Sequence, residues 1–195
     1  MSPTPVAQTA LVLRASASTR GEETNPYPAR VKHLVRYADP MAWAWVLAIG
    51  QATEHLGEPF RSAVERCSLI QVGPEAPPEA MTQTANDALR GFASPLRFPA
   101  ATPSAPTGLA CIVHGIRGPT LALTMPVAEG AGIALALSAA WLARGVVDYA
   151  LVGTSASQRH GAPYAACVVL TRGEGPTVDP ALLVKSLLPE RCAHD

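Results

Sequence analysis

The residues best placed to do chemistry in this 195-residue sequence lie around a break in the chain near Pro126. An Arg117-Gly118-Pro119 turn leads into an apolar run, Thr120 to Met125, and a small-residue helix is expected from about Ala128. Strand, sharp turn and helix is the geometry that lifts a reactive side chain above a sheet. A thiol at that corner would feel the positive end of the helix and ionise readily. The corner instead carries Val127, which can neither ionise nor attack a carbonyl. Glu129 follows in the expected first helical turn. A carboxylate there is favoured by the helix dipole, so it reads as a helix-start acid before it reads as a catalytic group.

The other nucleophiles and bases fall outside any recognisable constellation. Cys67, Cys111, Cys167 and Cys192 show no CxxC or metal-ligand spacing. Cys67 and Cys167 sit in apolar strand-like runs and read as small core residues, Cys111 falls mid-helix, and Cys192 lies in a terminal tail. His114 precedes Gly115 and is expected to cap a helix C-terminus. Gly153-Thr154-Ser155 reads as a strand end. No phosphate-binding loop, zinc pattern or carboxylate pair appears, so neither a metal nor a cofactor is expected.

Around these residues, strands and helices alternate. A first strand is expected over Thr9 to Arg14, with a loop over residues 16–30. Asp39 and Pro40 form a helix start, and the helix runs to about His55 with Met41, Trp45, Ile49 and Ala52 on one face, broadened by Trp43 and Leu47. That stripe reads as core. Cys67 to Val72 is a short strand, and Glu79 to Leu89 a helix stopped by Gly91. The prolines between Ser94 and Pro106 exclude a regular element there and deliver a helix from about Thr107 to His114, ended by Gly115. Pro119 to Met125 reads as a strand buried on both faces. Ala128 to Ala143 reads as a buried helix with Ile133, Leu137 and Trp141 sharing a face. Strands over Asp148 to Thr154 and Tyr164 to Thr171, and a last helix over Asp179 to Leu188, complete the pattern. This predicts one α/β domain over residues 9–190, with a mixed, mostly parallel sheet of about five strands layered with helices. Residues 1–8 are expected to be disordered and 191–195 to form a tail.

Composition narrows the function. The chain is 48% apolar and only 15% charged, against about a quarter in ordinary globular proteins, and its net charge is zero. There is no basic field for nucleic acid. Low charge fits a surface that is partly covered in use, although an alanine-rich composition explains it equally well. The apolar run Gly130 to Ala143 is too short to span a bilayer, and no secretory signal is evident, so a cytoplasmic protein is expected.

The ordered motifs resemble the β-ketoacyl synthase family, of thiolase-like fold. Arg117-Gly118-Pro119 and the following strand are similar to the Gly-Leu-Arg-Gly-Pro turn and strand that precede that family's catalytic cysteine. Ser94-Pro95, Phe98-Pro99 and Pro103 to Ala110 resemble its proline-rich helix entry. Arg144 to Thr154 and Ala165 to Arg172 resemble its next two strands. The resemblance covers residues 94–172. It departs in two places: the cysteine position is Val127, and none of the five histidines (His33, His55, His114, His160, His194) stands in the motifs of the family's second half.

The resemblance therefore implies a ketosynthase N-terminal half of the short chain-length-factor-like kind. Such a subunit would be non-catalytic and would form a heterodimer with an active ketosynthase in polyketide or fatty acid chain elongation, with acyl carrier protein a further candidate partner. In that arrangement Thr120 to Met125 meets the partner, and Phe98, Pro99, Thr124 and Met125 are candidates for lining the acyl pocket. Val127 and Glu129 complete the candidate set. For Phe98 and Pro99, simple core packing is an equal reading. Two rival functions stay open: a stand-alone module that binds acyl chains or a carrier protein, and a divergent acyltransferase or hydrolase using Cys111 or a serine.

Overall fold

The computed structural model describes residues 10–20, 24–29, 31, 37–92, 94–158, 161–175 and 177–188. The expectations for residues 1–8, the 191–195 tail and Cys192 lie outside them. The elements are β1 (Leu11–Thr19), α1 (Pro40–Glu54), α2 (Gly57–Ala63), β2 (Cys67–Val72), α3 (Pro78–Leu89), α4 (Ala105–His114), β3 (Thr120–Leu123), α5 (Val127–Ala143), β4 (Tyr149–Gln158), β5 (Gly161–Arg172) and α6 (Pro180–Leu187). Short 3-10 turns occur at Val64–Arg66 and Phe98–Ala101.

The five strands form one sheet in the order β1-β5-β4-β2-β3. β2 is parallel to both β3 and β4. β5 is antiparallel to its neighbours β4 and β1. Four strands therefore share a direction and only β5 opposes them, which is the mixed, mostly parallel sheet that the sequence predicts.

Strand side chains alternate between two cores, one on each sheet face. On one face Ile70, Val72, Val152, Val168 and Leu170 meet α5 and α6. On the other, Leu69, Leu151, Cys167 and Val169 meet α1 and α4 around Trp45 and Ile49. The Met41, Trp45, Ile49 and Ala52 stripe is buried there, as is Leu47, with Trp43 at the margin. Gly153 lies under the Trp45 ring, where any Cβ would collide with it.

Asp39 does more than its sequence context implies. One carboxylate oxygen accepts from the Met41 amide at 2.8 Å and caps α1. The other accepts from the Ala80 amide at 3.0 Å in the first turn of α3. One buried carboxylate thus satisfies donors at two helix starts.

Several expectations need correction. β1 runs on to Thr19 where a loop was expected. Arg14, Ser16 and Ser18 face solvent in alternation with partly buried alanines, as an outer strand permits. α2 breaks the segment after Gly57. β4 and β5 extend past the predicted strands to form a hairpin. α4 begins at Ala105, and the proline-rich stretch holds a 3-10 turn. β3 is not buried on both faces: Thr120 is exposed and Leu121, Ala122 and Leu123 are half-buried, because β3 is the last strand of the sheet. α5 is buried along one side only. Ile133 is 44% exposed, and Leu137 and Trp141 flank the core without entering it.

Candidate functional site

The predicted corner is present. Its approach is set by Gly118, whose α-carbon lies so close to the Cys67 carbonyl that a side chain would collide with it. β3 then pairs along β2 from Thr120 to Leu123, and the Gly73 amide donates to the Leu123 carbonyl at 3.0 Å. Pro126 takes an extended conformation (φ −53°, ψ 143°) and ends the strand direction. Val127 is the first residue of α5, and the amides of Glu129 and Gly130 close on the Pro126 carbonyl at 3.0 Å each. Gly130 is required locally: a Cβ there would strike Val72 and press on Met125 Cγ and Sδ at 3.2 and 3.3 Å.

The candidate residues separate into two groups. Thr124, Met125, Val127 and Glu129 lie together at the corner. Val127 is 6% exposed and packs in the core under α5; Met125 is half-buried; Thr124 and Glu129 are exposed. Phe98 and Pro99 stand on the 3-10 turn that leads into α4. Pro99 lines an open groove of about 350 Å³ with Ala42, Leu96, Ala100, Leu109 and Ile112, on the α1–α4 side of the sheet. Phe98 is 64% exposed and is not part of that lining. Neither residue fills the core.

Burial disfavours the thiolate at each of the described cysteines. Burial, with a smaller contribution from the Asp148 charge, pushes the Cys67 thiol up to about 12, and its sulfur donates to the Ala63 carbonyl. Burial alone raises the thiols of Cys111 and Cys167. Each is held as a thiol, the opposite of what a nucleophile needs. His114 stands in the last turn of α4. Its Nε2 lies 2.9 Å from the Val46 carbonyl and its ring meets Tyr27 edge-on, which ties α4 to α1. Arg117 is an exposed turn residue 3.4 Å from Glu65. Among the described residues no cluster of His, Cys, Asp and Glu could hold a metal ion. No described helix is long and apolar enough to cross a membrane.

Sequence reasoning missed a buried polar chain beside the corner. The chain leaves β2 through α3 and α4 on one sheet face and leaves β3 through α5 on the other. β2 and β3 are adjacent, so their carboxyl ends form the switch point where open α/β sheets usually hold ligands, and the polar chain lies beside it, between β2 and β4. Here Gln71 Nε2 donates to Ser155 Oγ at 3.0 Å, and Thr107 Oγ1 donates to Gln71 Oε1 at 2.8 Å. All three side chains are buried. Further out, the Glu75 carboxylate accepts from the Ser157 amide and hydroxyl at 2.9 and 2.7 Å. These contacts tie the carboxyl end of β2 to β4. The one signal available was a glutamine, Gln71, in a mostly apolar strand.

No protein-family profile and no curated protein matches the chain. Solved structures do. A type II polyketide synthase acyl-carrier protein in complex with its ketosynthase superposes over 84% of this chain and 62% of that one, at 13% identity and a TM-score of 0.66. A ketosynthase in complex with its chain length factor from Xenorhabdus doucetiae superposes over 85% and 80%, at 12% identity and 0.60. A β-ketoacyl synthase from Burkholderia phymatum STM815 superposes over 85% and 59%, at 10% identity and 0.66. This chain spans less than two thirds of the first and the last of these. Its fold is the ketosynthase-like, thiolase-type fold that the motif order predicts.

Proposed function

We propose that this chain is a non-catalytic ketosynthase-like subunit of the chain-length-factor kind. It pairs with an active ketosynthase and helps to shape the space for the growing acyl chain. The observation that carries this reading is the strand-to-helix corner with Val127 buried at its apex. In this reading the corner is a retired thiolate position, and burial raises the thiols of Cys67, Cys111 and Cys167 above their ordinary range. Two features support a partner. β3 leaves a half-buried apolar edge with no strand beyond it among the described residues, and such an edge invites a second chain. The Xenorhabdus superposition covers 80% of its counterpart, a chain of similar length within a ketosynthase and chain length factor complex.

In this reading the decarboxylative condensation belongs to the partner, and acyl carrier protein delivers substrate to the pair. Thr124 and Met125, at the end of β3, stand nearest the partner. Phe98 and Pro99 contribute at the proline-rich entry. The test is co-expression with a ketosynthase encoded in the same genome. The expected result is co-elution of the two chains and a change in product yield or length when this chain is omitted. A chain that purifies alone, and whose omission changes neither, rejects the proposal.

The α1–α4 groove favours a second reading, a stand-alone binder of apolar acyl groups. Saturable binding of a fluorescent medium-chain acyl probe by the isolated chain, lost on Gly108→Trp, would support it over the first.

A further inference from the structure

α5 is apolar on both sides. Its outward face, Ala128, Gly132, Ile133, Ala136 and Ala140, is exposed. Glu129 is the only charge within its 17 residues, and the next is Arg144 at the C-cap. A helix that is apolar all round belongs in an interior. The sheet covers half of this one.

Gly132 sharpens the point. A glycine within a helix costs about 1 kcal/mol relative to alanine. Gly130 has an internal reason, the contact with Val72 and Met125. A Cβ at Gly132 would meet nothing within 4 Å. The chain itself supplies no reason for that glycine, whereas close approach of another backbone does. Ala128, Gly132, Ala136 and Ala140 recur every fourth residue and form a low ridge against which a second helix can pack closely.

The charges say which helix. Glu129 and Arg144 stand at opposite ends of this face with opposite signs, and neither forms an ion pair among the described residues. An antiparallel copy of α5 centred near Ala136 brings Glu129 of each chain opposite Arg144 of the other and sets Ile133 against Ala140. At a shallow crossing of about 20° both ends stay within side-chain reach. The arrangement is self-complementary about a two-fold axis.

We infer that the outward face of α5 is a contact between two copies of this chain, packed antiparallel about a two-fold axis near Ala136. The helix is about 25 Å long, so it buries roughly 250 Å² per chain, and α6 beside it adds the 37%-exposed Leu182. That is below a standard interface, so the dimer is weak and concentration-dependent. The β3 edge belongs to the sheet and this contact to α5, and the inference does not rest on the proposed function.

Sedimentation of the full chain across a concentration series tests it. The expected result is a monomer–dimer equilibrium. Glu129→Arg and Arg144→Glu each raise the dissociation constant about tenfold, because the symmetry repeats each contact twice, and the double reversal restores it. Gly132→Leu abolishes the dimer and leaves the monomer's circular dichroism and melting unchanged. Under mild oxidation Ala136→Cys gives a covalent dimer faster than Ser62→Cys on the exposed face of α2. A monomer at every concentration overturns the inference. So does a dimer that survives Gly132→Leu, a double reversal without rescue, or equal cross-linking at positions 136 and 62. Burial of α5 seen only on adding a ketosynthase also overturns it, since the cover would then be the partner.

Discussion

β2 and β3 lie side by side, run parallel, and read alike in the sequence as short apolar runs. All six residues of β2 are buried, between strands on both sides and helices on both faces. β3 has one strand neighbour and half-buried side chains. Apolar character is local and burial is positional. The same composition in β2 holds the fold together, whereas in β3 it remains available to another chain. The comparison also locates the larger polar exception: Gln71, on the fully buried strand that also holds Ser68, has both ends of its amide satisfied.

The largest expected effect is on β2. Leu69→Ala leaves a cavity in a fully buried site and should cost about 2–5 kcal/mol in chemical denaturation, whereas Leu121→Ala on β3 should cost under about 1 kcal/mol. Equal losses would end the distinction between the strands. Gln71→Leu should come next, at about 2–3 kcal/mol, because it strands the buried Thr107 and Ser155 hydroxyls; the paired change Gln71→Leu with Thr107→Val should recover part of it.

A third measurement uses pH. Burial raises the Cys67 thiol from its ordinary value of 9.0 to about 12 in the folded chain. Folding therefore favours the protonated form. That stability is complete below about pH 9 and is lost as pH rises from 9 towards 12. Cys67→Ala should flatten that part of the stability curve, and an unchanged slope would contradict the burial assignment.

The smallest effect on stability carries the most functional weight. Leu121→Lys should shift the unfolding midpoint by less than about 1 kcal/mol, yet remove co-elution with the ketosynthase. A charged edge refuses strand pairing without disturbing the monomer. Retained co-elution would move the partner surface elsewhere.

How far the sequence could be read follows from the same contrast. Helix starts with a local chemical marker were legible: Asp39 before Pro40, Asp179 before Pro180, and the break at Pro126. Gly115 marked the end of α4 through its left-handed conformation (φ 74°). The corner and Val127 were legible because motif order fixes them. What was not legible depended on neighbours distant in sequence. β3 looked buried because nothing local says that a strand is the last in its sheet. β1 looked short because its serines alternate only once β5 lies beside it. The Thr107–Gln71–Ser155 chain joins three segments that no spacing rule connects. His114 was read from the helix dipole alone, and its contact with the Val46 carbonyl of α1 had no local signal.

Asp39 has a consequence for how the molecule breathes. A single acidic group anchors the first turns of α1 and α3, which start 38 residues apart in sequence. Neither start can fray without loosening the other, so the two helices belong to one cooperative unit. Amide exchange at Met41 and at Ala80 should proceed at matching free energies of opening, well above those of the chain ends. The 3-10 turn and groove mouth packed against α3 inherit that shared rigidity.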